Sequence, residues 1–173
     1  MEYYIAQLIS ILTALFAVLS MQMKKMKYVL ITQILANLLA ASTYLLLNGF
    51  SGAGISLIAI LQLVVVYIYN VKKVEVHKPV IGIFIGLYAI FSIVNYKTII
   101  DFFPFLAALC FALGISQKEA KSFRVFGIIN PLCWLVYDIF THAYVNVLIR
   151  VAIFISSLVA MIRLDGLLKK KNK

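Results

Sequence analysis

Residues 33–44 of the chain read Gln33-Ile-Leu-Ala-Asn-Leu-Leu-Ala-Ala-Ser-Thr-Tyr44, an apolar segment marked by an Asn and a Tyr. A later segment, Phe126-Gly-Ile-Ile-Asn-Pro-Leu-Cys-Trp-Leu-Val-Tyr137, repeats both marks with the same spacing. That spacing puts the Asn and the Tyr of each segment on one face of a helix. An amide inside an apolar segment is disfavoured in lipid unless it finds a partner. The two segments therefore predict a duplicated membrane unit with a polar interior.

The composition of the chain points to lipid as its solvent. It has 173 residues, of which 64% are hydrophobic, and a mean hydropathy of +1.04. A soluble domain of this size could not bury so much apolar surface. Both cysteines, Cys110 and Cys133, fall inside apolar runs without metal-ligand spacing, so we expect no disulfide, metal or other cofactor.

Apolar runs bounded by charged or turn residues predict seven membrane-spanning helices. Most are near the roughly 20 residues that a crossing requires, although the fourth is short. The predicted spans are Tyr3–Met21, Tyr28–Leu47, Ser51–Val71, Pro79–Val94, Ile99–Ile115, Phe123–Phe140 and Tyr144–Leu164.

Charge alternates between successive connections and predicts the orientation. The net charge is +10, but the basic residues lie in short loops, which the positive-inside rule explains better than nucleic-acid binding does. The side opposite the basic loops has Lys97 alone. We therefore expect a multi-pass protein of the bacterial inner membrane, with the N-terminus outside, the C-terminus inside and no nucleic-acid partner. The basic loop and tail residues are Lys24, Lys25, Lys27, Lys72, Lys73, Lys78, Lys118, Lys121, Arg124, Arg163, Lys169, Lys170, Lys171 and Lys173.

The repeat has a geometric consequence for the order of the spans. The two repeated segments, spans two and six, run in the same direction, so one extra helix must separate two groups of three. This predicts an all-α membrane protein in a three-one-three arrangement, with two parallel triple-helix bundles joined by a linker helix. Residues 1–75 form the first repeat, 76–97 the linker, 98–165 the second repeat and 166–173 a basic cytoplasmic tail.

Polar side chains follow one stripe on each repeated helix. Asn37 and Tyr44 lie on span two, and Asn130, Trp134 and Tyr137 lie on span six. In one interpretation both stripes face a shared cavity, where amides and aromatic groups bind a polar solute. In the other, the amides join neighbouring helices by hydrogen bonds.

Two charged residues occur inside the last two spans. Asp138 and Arg150 flank the turn between spans six and seven, at similar depth, so we expect them to pair. The pair either fixes the hairpin or belongs to the solute site. Asp101, at the start of span five, fits a helix N-terminus and could join them.

Two prolines lie inside predicted spans. Pro104 and Pro131 each remove one helical hydrogen bond and free the carbonyl four residues earlier. We predict hinges at both positions, with static kinks as the alternative.

The chain resembles the YgjV-type family of small bacterial inner-membrane proteins over nearly its whole length. The resemblance rests on Tyr44-Leu-Leu-Leu-Asn-Gly49 with Gly52-Ala53, on Cys133-Trp-Leu-Val-Tyr-Asp-Ile-Phe140 and on Met161-Ile-Arg163. More distantly, the three-one-three order is similar to the SWEET and PQ-loop carriers, which implies a substrate site between two triple-helix bundles. That likeness implies a binding Asn on span seven, where this chain has Asn146.

Transport of a small polar solute is the first function that these features predict. The solute would contact Asn37, Asn130 and their aromatic neighbours, and Asp138 and Arg150 would set charge preference. The alternative is a membrane receptor, binding or accessory protein with a pocket open on one side. An enzyme is not expected, because the chain has two histidines, both in loops, and no catalytic motif. Beyond the lipid bilayer and the solute, assembly with copies of itself is left open.

Overall fold

The computed structural model describes residues 2–46, 50–96, 98–140 and 144–165, with the backbone alone at 2, 3, 50–52, 138 and 144–146. Within these ranges the chain is all-helical, with seven α-helices and one 3₁₀ turn, Ile99–Asp101. The helices are α1 Glu2–Gln22, α2 Met26–Leu46, α3 Phe50–Val71, α4 Lys78–Val94, α5 Phe102–Ile115, α6 Ala120–Phe140 and α7 Tyr144–Asp165.

The helices begin where local residues supply the right geometry. Pro79 lies in the first turn of α4, where backbone N–H groups have no acceptor within the helix. Its lack of an N–H therefore costs no hydrogen bond. The 3₁₀ turn before α5 begins with a capping box, in which the Thr98 N–H donates to Asp101 Oδ2 at 2.7 Å. Asp101 therefore stabilises a helix start, which is the simpler of the two roles that its position suggests.

The helices follow the predicted spans closely, with one consequential difference. Span six was expected to begin at Phe123, whereas α6 begins three residues earlier, at Ala120. Arg124, which was grouped with the basic loop residues, therefore lies in the second turn of this helix. Four helical segments of the described chain are long and apolar enough to cross a membrane: Tyr4–Gln22, Met26–Leu46, Ala53–Val71 and Val147–Asp165. Lys78–Val94 and Ile99–Ile115 are shorter apolar helices.

Large apolar side chains cover the outside of the bundle. Leu8 and Leu15 on α1, Leu61 on α3, Ile90 on α4 and Leu148 on α7 are all exposed. In water such a surface would drive aggregation, but it matches a hydrocarbon solvent. The protein is a membrane protein.

The order of the helices in space follows their order in the chain. α2 packs between α1 and α3, and α6 packs between α5 and α7. The two groups of three meet where α1 packs against α7, while α4 packs mainly against α5 and less extensively against α3.

The main hydrophobic core lies at one end of the bundle. We call this the basic end, because its loops carry Lys24, Lys25, Lys72, Lys73 and Lys118. Helices of both groups contribute to this core, so it joins them at the basic end. Its buried members are Met21, Met26, Val29, Leu30, Leu63, Val66, Ile115, Ala120, Phe123 and Ile153.

A second core holds α4 in place. Phe84 and Tyr88 of α4 pack against Ala108 and Ala112 of α5, and Ile55 of α3 packs at its edge. The small alanine side chains let the two aromatic rings approach α5 closely.

Gly114 permits the close approach of α5 and α6. A Cβ placed there would lie 2.8 Å from Phe126 Cβ, a backbone-attached atom that cannot swing away.

Gly114→Ala should therefore push α5 from α6 and cost about 1–3 kcal/mol of stability. The measurement is the thermal unfolding midpoint of the purified protein in detergent. Gly86→Ala on α4 is the matched control, because a Cβ there meets nothing within 4 Å. Equal midpoints for the two variants would contradict this account of the α5–α6 contact.

Candidate functional site

A cavity of about 170 Å³, lined by both apolar and polar side chains, lies between the two groups of helices. All seven helices contribute lining residues. At roughly 30 Å³ for each water in the liquid, the cavity has room for several waters or one small solute. Its polar or charged lining residues are Thr13, Gln33, Asn37, Tyr44, Ser56, Tyr88, Asn130, Trp134 and Arg150.

The amides of Asn37 and Asn130, which the sequence placed in a predicted repeat, both line this cavity. Asn37 Nδ2 donates to the Gln33 carbonyl of its own helix at 2.8 Å. Asn130 Nδ2 donates instead to the Ala107 carbonyl of α5 at 2.7 Å. Both interpretations of the sequence therefore apply to Asn130, because its amide joins two helices and also lines the cavity.

Gln33 continues the polar stripe of α2 one turn closer to the basic end. Its side chain is 7% exposed, lines the cavity and donates through Nε2 to Ser20 Oγ of α1 at 2.8 Å. An amide buried this deeply requires such a partner.

Trp134 and Arg150 form a stacked pair towards the other end of the cavity. The Arg150 guanidinium carbon lies 4.8 Å from the centroid of the indole, within cation–π range. Tyr137 packs against Trp134 in a T-shaped arrangement, with the ring centroids 6.0 Å apart. Tyr44 of α2 also lines the cavity.

The structure thus brings together Asn37, Tyr44, Asn130, Trp134 and Arg150 of the predicted site residues, and it places Tyr137 against Trp134. Solute binding by these residues remains a prediction. The side chains of Asp138 and Asn146 lie outside the described part, so the Asp138–Arg150 pair is also still a prediction.

The two prolines occupy different positions in their helices. Pro104 lies in the first turn of α5, where its missing N–H breaks no internal hydrogen bond. Pro131 lies buried inside α6 and deprives the Gly127 carbonyl of its usual donor. Only Pro131 has the helix-interior position that the hinge prediction assumes.

Arg124 is the residue that the sequence analysis misplaced. It was taken as an exposed loop charge, but it is 2% exposed in the second turn of α6. Its guanidinium binds both carboxylate oxygens of Asp165 at the end of α7, with Nε 2.9 Å from Oδ2. Nη1 also donates to the Met23 carbonyl at 2.8 Å and to the Met21 carbonyl at 3.4 Å. The sequence feature that could have indicated this burial was Asp165, an acidic residue at the end of span seven.

Further hydrogen bonds join α1 to α7 beside Arg124. Gln22 Nε2 donates to the Ser156 carbonyl and hydroxyl, each at 2.8 Å, and Ser156 Oγ donates to the Val18 carbonyl at 3.1 Å. Ser157 Oγ donates to the Arg124 carbonyl at 2.9 Å. We call this set, with Arg124 and Asp165, the basic-end network.

The linker helix contributes to the site as well. Tyr88 of α4 is 1% exposed and lines the cavity, and no described residue hydrogen-bonds its hydroxyl. Span four was predicted only to link the two groups. A single Tyr among apolar residues forms no periodic pattern that would indicate a polar face.

The described residues offer no metal site, since they hold no group of three or more His, Cys, Asp or Glu side chains with suitable placement. Cys110 and Cys133 are free thiols.

Comparison with known proteins assigns the chain to a family. The family model for Imp-YgjV, a bacterial inner membrane protein, matches residues 4–167. The chain belongs to the Imp-YgjV family. It is therefore a protein of the bacterial inner membrane, as its charge pattern and apolar spans predict. No curated protein and no solved structure matches this Imp-YgjV chain.

Asn37 and Asn130 of this Imp-YgjV protein should contribute unequally to its stability. Asn130→Leu removes a bond between α5 and α6 and should lower stability by about 0.6–1.7 kcal/mol, the range for such bonds in membranes. Asn37→Leu removes a bond within one helix and should change stability by less than half that amount. Thermal unfolding midpoints of both variants check the difference, and an equal loss in both would contradict the assignment of partners.

The basic-end network should contribute far more to stability than either amide does. Arg124→Met leaves the Asp165 carboxylate buried without its partner, which typically costs about 3–5 kcal/mol. Lys121→Met, an exposed cation on the same helix, is the control and should stay within about 0.5 kcal/mol of wild type. Adding Asp165→Leu to Arg124→Met should recover much of the loss in the unfolding midpoint. A double variant no better than Arg124→Met would count against the pairing.

Proposed function

We propose that this Imp-YgjV protein moves a small polar solute across the inner membrane through the cavity between its two helix groups. The observation that carries the proposal is that Asn37 and Asn130, equivalent positions of the two repeats, line one cavity. Arg150 lines the same cavity, and an ionisable residue inside a membrane span commonly marks a substrate pathway.

The proposal includes seven crossings in a three-one-three order, with the N-terminus outside and the basic end in the cytoplasm. α4 and α5 are the shortest helices. The 17 residues of α4 reach about 25 Å. The 14 residues of α5 are extended by the 3₁₀ turn before them. Both lengths fall slightly short of a 30 Å hydrocarbon layer, a mismatch that local thinning of the bilayer accommodates at modest cost.

The described conformation corresponds to a carrier closed at its cytoplasmic end. Met21 and Phe123 form the cavity lining nearest the basic end, and both belong to the main hydrophobic core. The basic-end network lies beside them. Tyr44, Ile55 and Arg150 line the cavity towards the other end, from which the solute would enter.

The network divides into contacts that persist and contacts that separate on opening. The Arg124–Asp165 ion pair joins α6 to α7 within the second group. By contrast, Arg124 to the Met21 and Met23 carbonyls and Gln22 to Ser156 join the first group to the second. Within this network, cytoplasmic opening would break hydrogen bonds to neutral groups and leave the ion pair intact. Arg124 would keep its counter-ion throughout, and so would never be left as an unpaired buried charge.

A one-sided binding or accessory protein is the second candidate, and the closed basic end is the observation that favours it. Such a protein would bind solute from outside and never open to the cytoplasm. It would use the same amides, so flux is the measurement that separates the two candidates. Neither function requires a catalytic residue.

The test is solute flux into proteoliposomes. Protein-dependent uptake of small polar solutes such as urea, glycerol, erythritol and simple amines would be followed by light scattering after an osmotic step. Asn130→Leu should reduce the uptake of any transported member at least tenfold, since a lost buried hydrogen bond and a blocked polar route act together.

Asn95→Ala is the matched control and should leave uptake unchanged. Asn95 makes the same kind of amide bond, to the Phe91 carbonyl at 2.8 Å, but lies exposed at the end of α4. Uptake that persists at the wild-type rate in Asn130→Leu would remove this cavity from the pathway. Absence of protein-dependent uptake across the panel would favour the one-sided binding protein.

A further inference from the structure

We propose that the cavity recognises its solute through the solute's N–H and O–H groups, which bind three amide oxygens at the middle of the bundle. This inference rests on the solute site proposed above and names the chemistry of its ligand. The ligand would be a small solute with at least two hydrogen-bond donors directed at the amides, and with no carboxylate or phosphate group at that level.

The orientation of the two asparagine amides follows from their partners. Asn37 contacts the Gln33 carbonyl and Asn130 contacts the Ala107 carbonyl, at 2.8 and 2.7 Å. A backbone carbonyl accepts hydrogen bonds and cannot donate, so the NH₂ group of each amide must face it. Each Oδ1 is consequently turned away from the backbone.

The orientation of Gln33 is determined in the same way, through Ser20. The Ser20 hydroxyl donates its single proton to the Ala17 carbonyl at 2.6 Å, so its oxygen can only accept from Gln33. Gln33 must therefore present Nε2 to Ser20 and keep Oε1 free for another donor. The proton of the Thr13 hydroxyl is used in the same way, because this hydroxyl donates to the Ile9 carbonyl at 3.0 Å.

In each of these three amides the nitrogen is already used as a donor and the oxygen is still available as an acceptor. No described residue donates to Oδ1 of Asn37, to Oδ1 of Asn130 or to Oε1 of Gln33, and all three side chains line the cavity. Each oxygen has lone pairs that lipid cannot satisfy. An incoming N–H or O–H group satisfies them, whereas a carboxylate oxygen beside them would face three further acceptors, with the Tyr88 hydroxyl as a neutral donor in the same cavity.

The protein contains its own reporter for this chemistry. Trp134 is the single tryptophan of the chain and lines the same cavity, one helical turn from Asn130. Acrylamide and N,N-dimethylacrylamide both quench indole fluorescence and share the same amide carbonyl, but acrylamide alone carries N–H donors. Comparing the two quenchers on the purified full-length protein isolates the contribution of the donors.

We expect acrylamide to quench Trp134 more strongly than its dimethyl analogue by about fivefold, the factor for one net hydrogen bond, after both constants are divided by those for free N-acetyltryptophanamide. Asn37→Leu and Gln33→Leu should each lower that ratio towards one. Both variants lie on α2, so they leave the helix that carries Trp134 intact. Asn95→Ala should preserve the wild-type ratio.

Equal normalised quenching by the two probes in the wild-type protein would overturn the proposal, and so would a ratio that both α2 variants leave unchanged. The outcome is separable from the transport test. A protein with the expected ratio and no flux recognises donors as a binding protein, whereas flux without the ratio leaves transport in place and removes donor recognition. Unchanged tryptophan emission maxima would show that the variants retain the fold.

Discussion

Every polar atom inside this bundle has to find its partner within the protein, because lipid offers none. At the basic end Arg124 meets this constraint: its guanidinium binds the Asp165 carboxylate, the Met21 carbonyl of α1 and the Met23 carbonyl just after that helix. At the level of the cavity it is met for the amide nitrogens but not for the amide oxygens. The first region is consequently held closed, and the second retains unused hydrogen-bonding capacity. A solute site requires just this combination of a rigid frame and groups that still lack partners.

The two groups of three helices use the same residue type differently. Asn37 donates within α2, so the first group gains no contact between helices from it. Asn130 donates to α5 and so fixes the spacing of α5 and α6 at the level of the cavity. Trp134 and Arg150 are added in the second group, where the indole and the guanidinium stack. In the first group, Asn37 therefore only lines the cavity. In the second group, Asn130, Trp134 and Arg150 line it and also hold neighbouring helices together.

Periodicity and charge were enough to predict the helices, because apolar runs and turn residues act locally. The same patterns placed Asn37 and Asn130 at equivalent positions, and the structure brings both to one cavity. They could not reveal that Arg124 is buried, since a basic residue at the start of a span looks like any topology determinant until its partner, forty-one positions later, is seen beside it. Tyr88 escaped notice for a similar reason. Its burial depends on Ala108 and Ala112 of another helix, and no feature of its own segment records that contact.

The weakest point of α6 lies between the cavity and the basic-end network. Pro131 supplies no N–H to the Gly127 carbonyl, and Gly127 contributes no side chain. The absence of that side chain leaves room for the side chains of Met21 and Ser157, because a Cβ at Gly127 would lie 2.8 Å from Met21 Sδ and 3.0 Å from Ser157 Oγ. Helix α6 is thus held to α1 and α7 by contacts at a position where its own hydrogen bonding is reduced. Since a helix bends most easily where a hydrogen bond is missing, the transport proposed above would require α6 to bend at this turn.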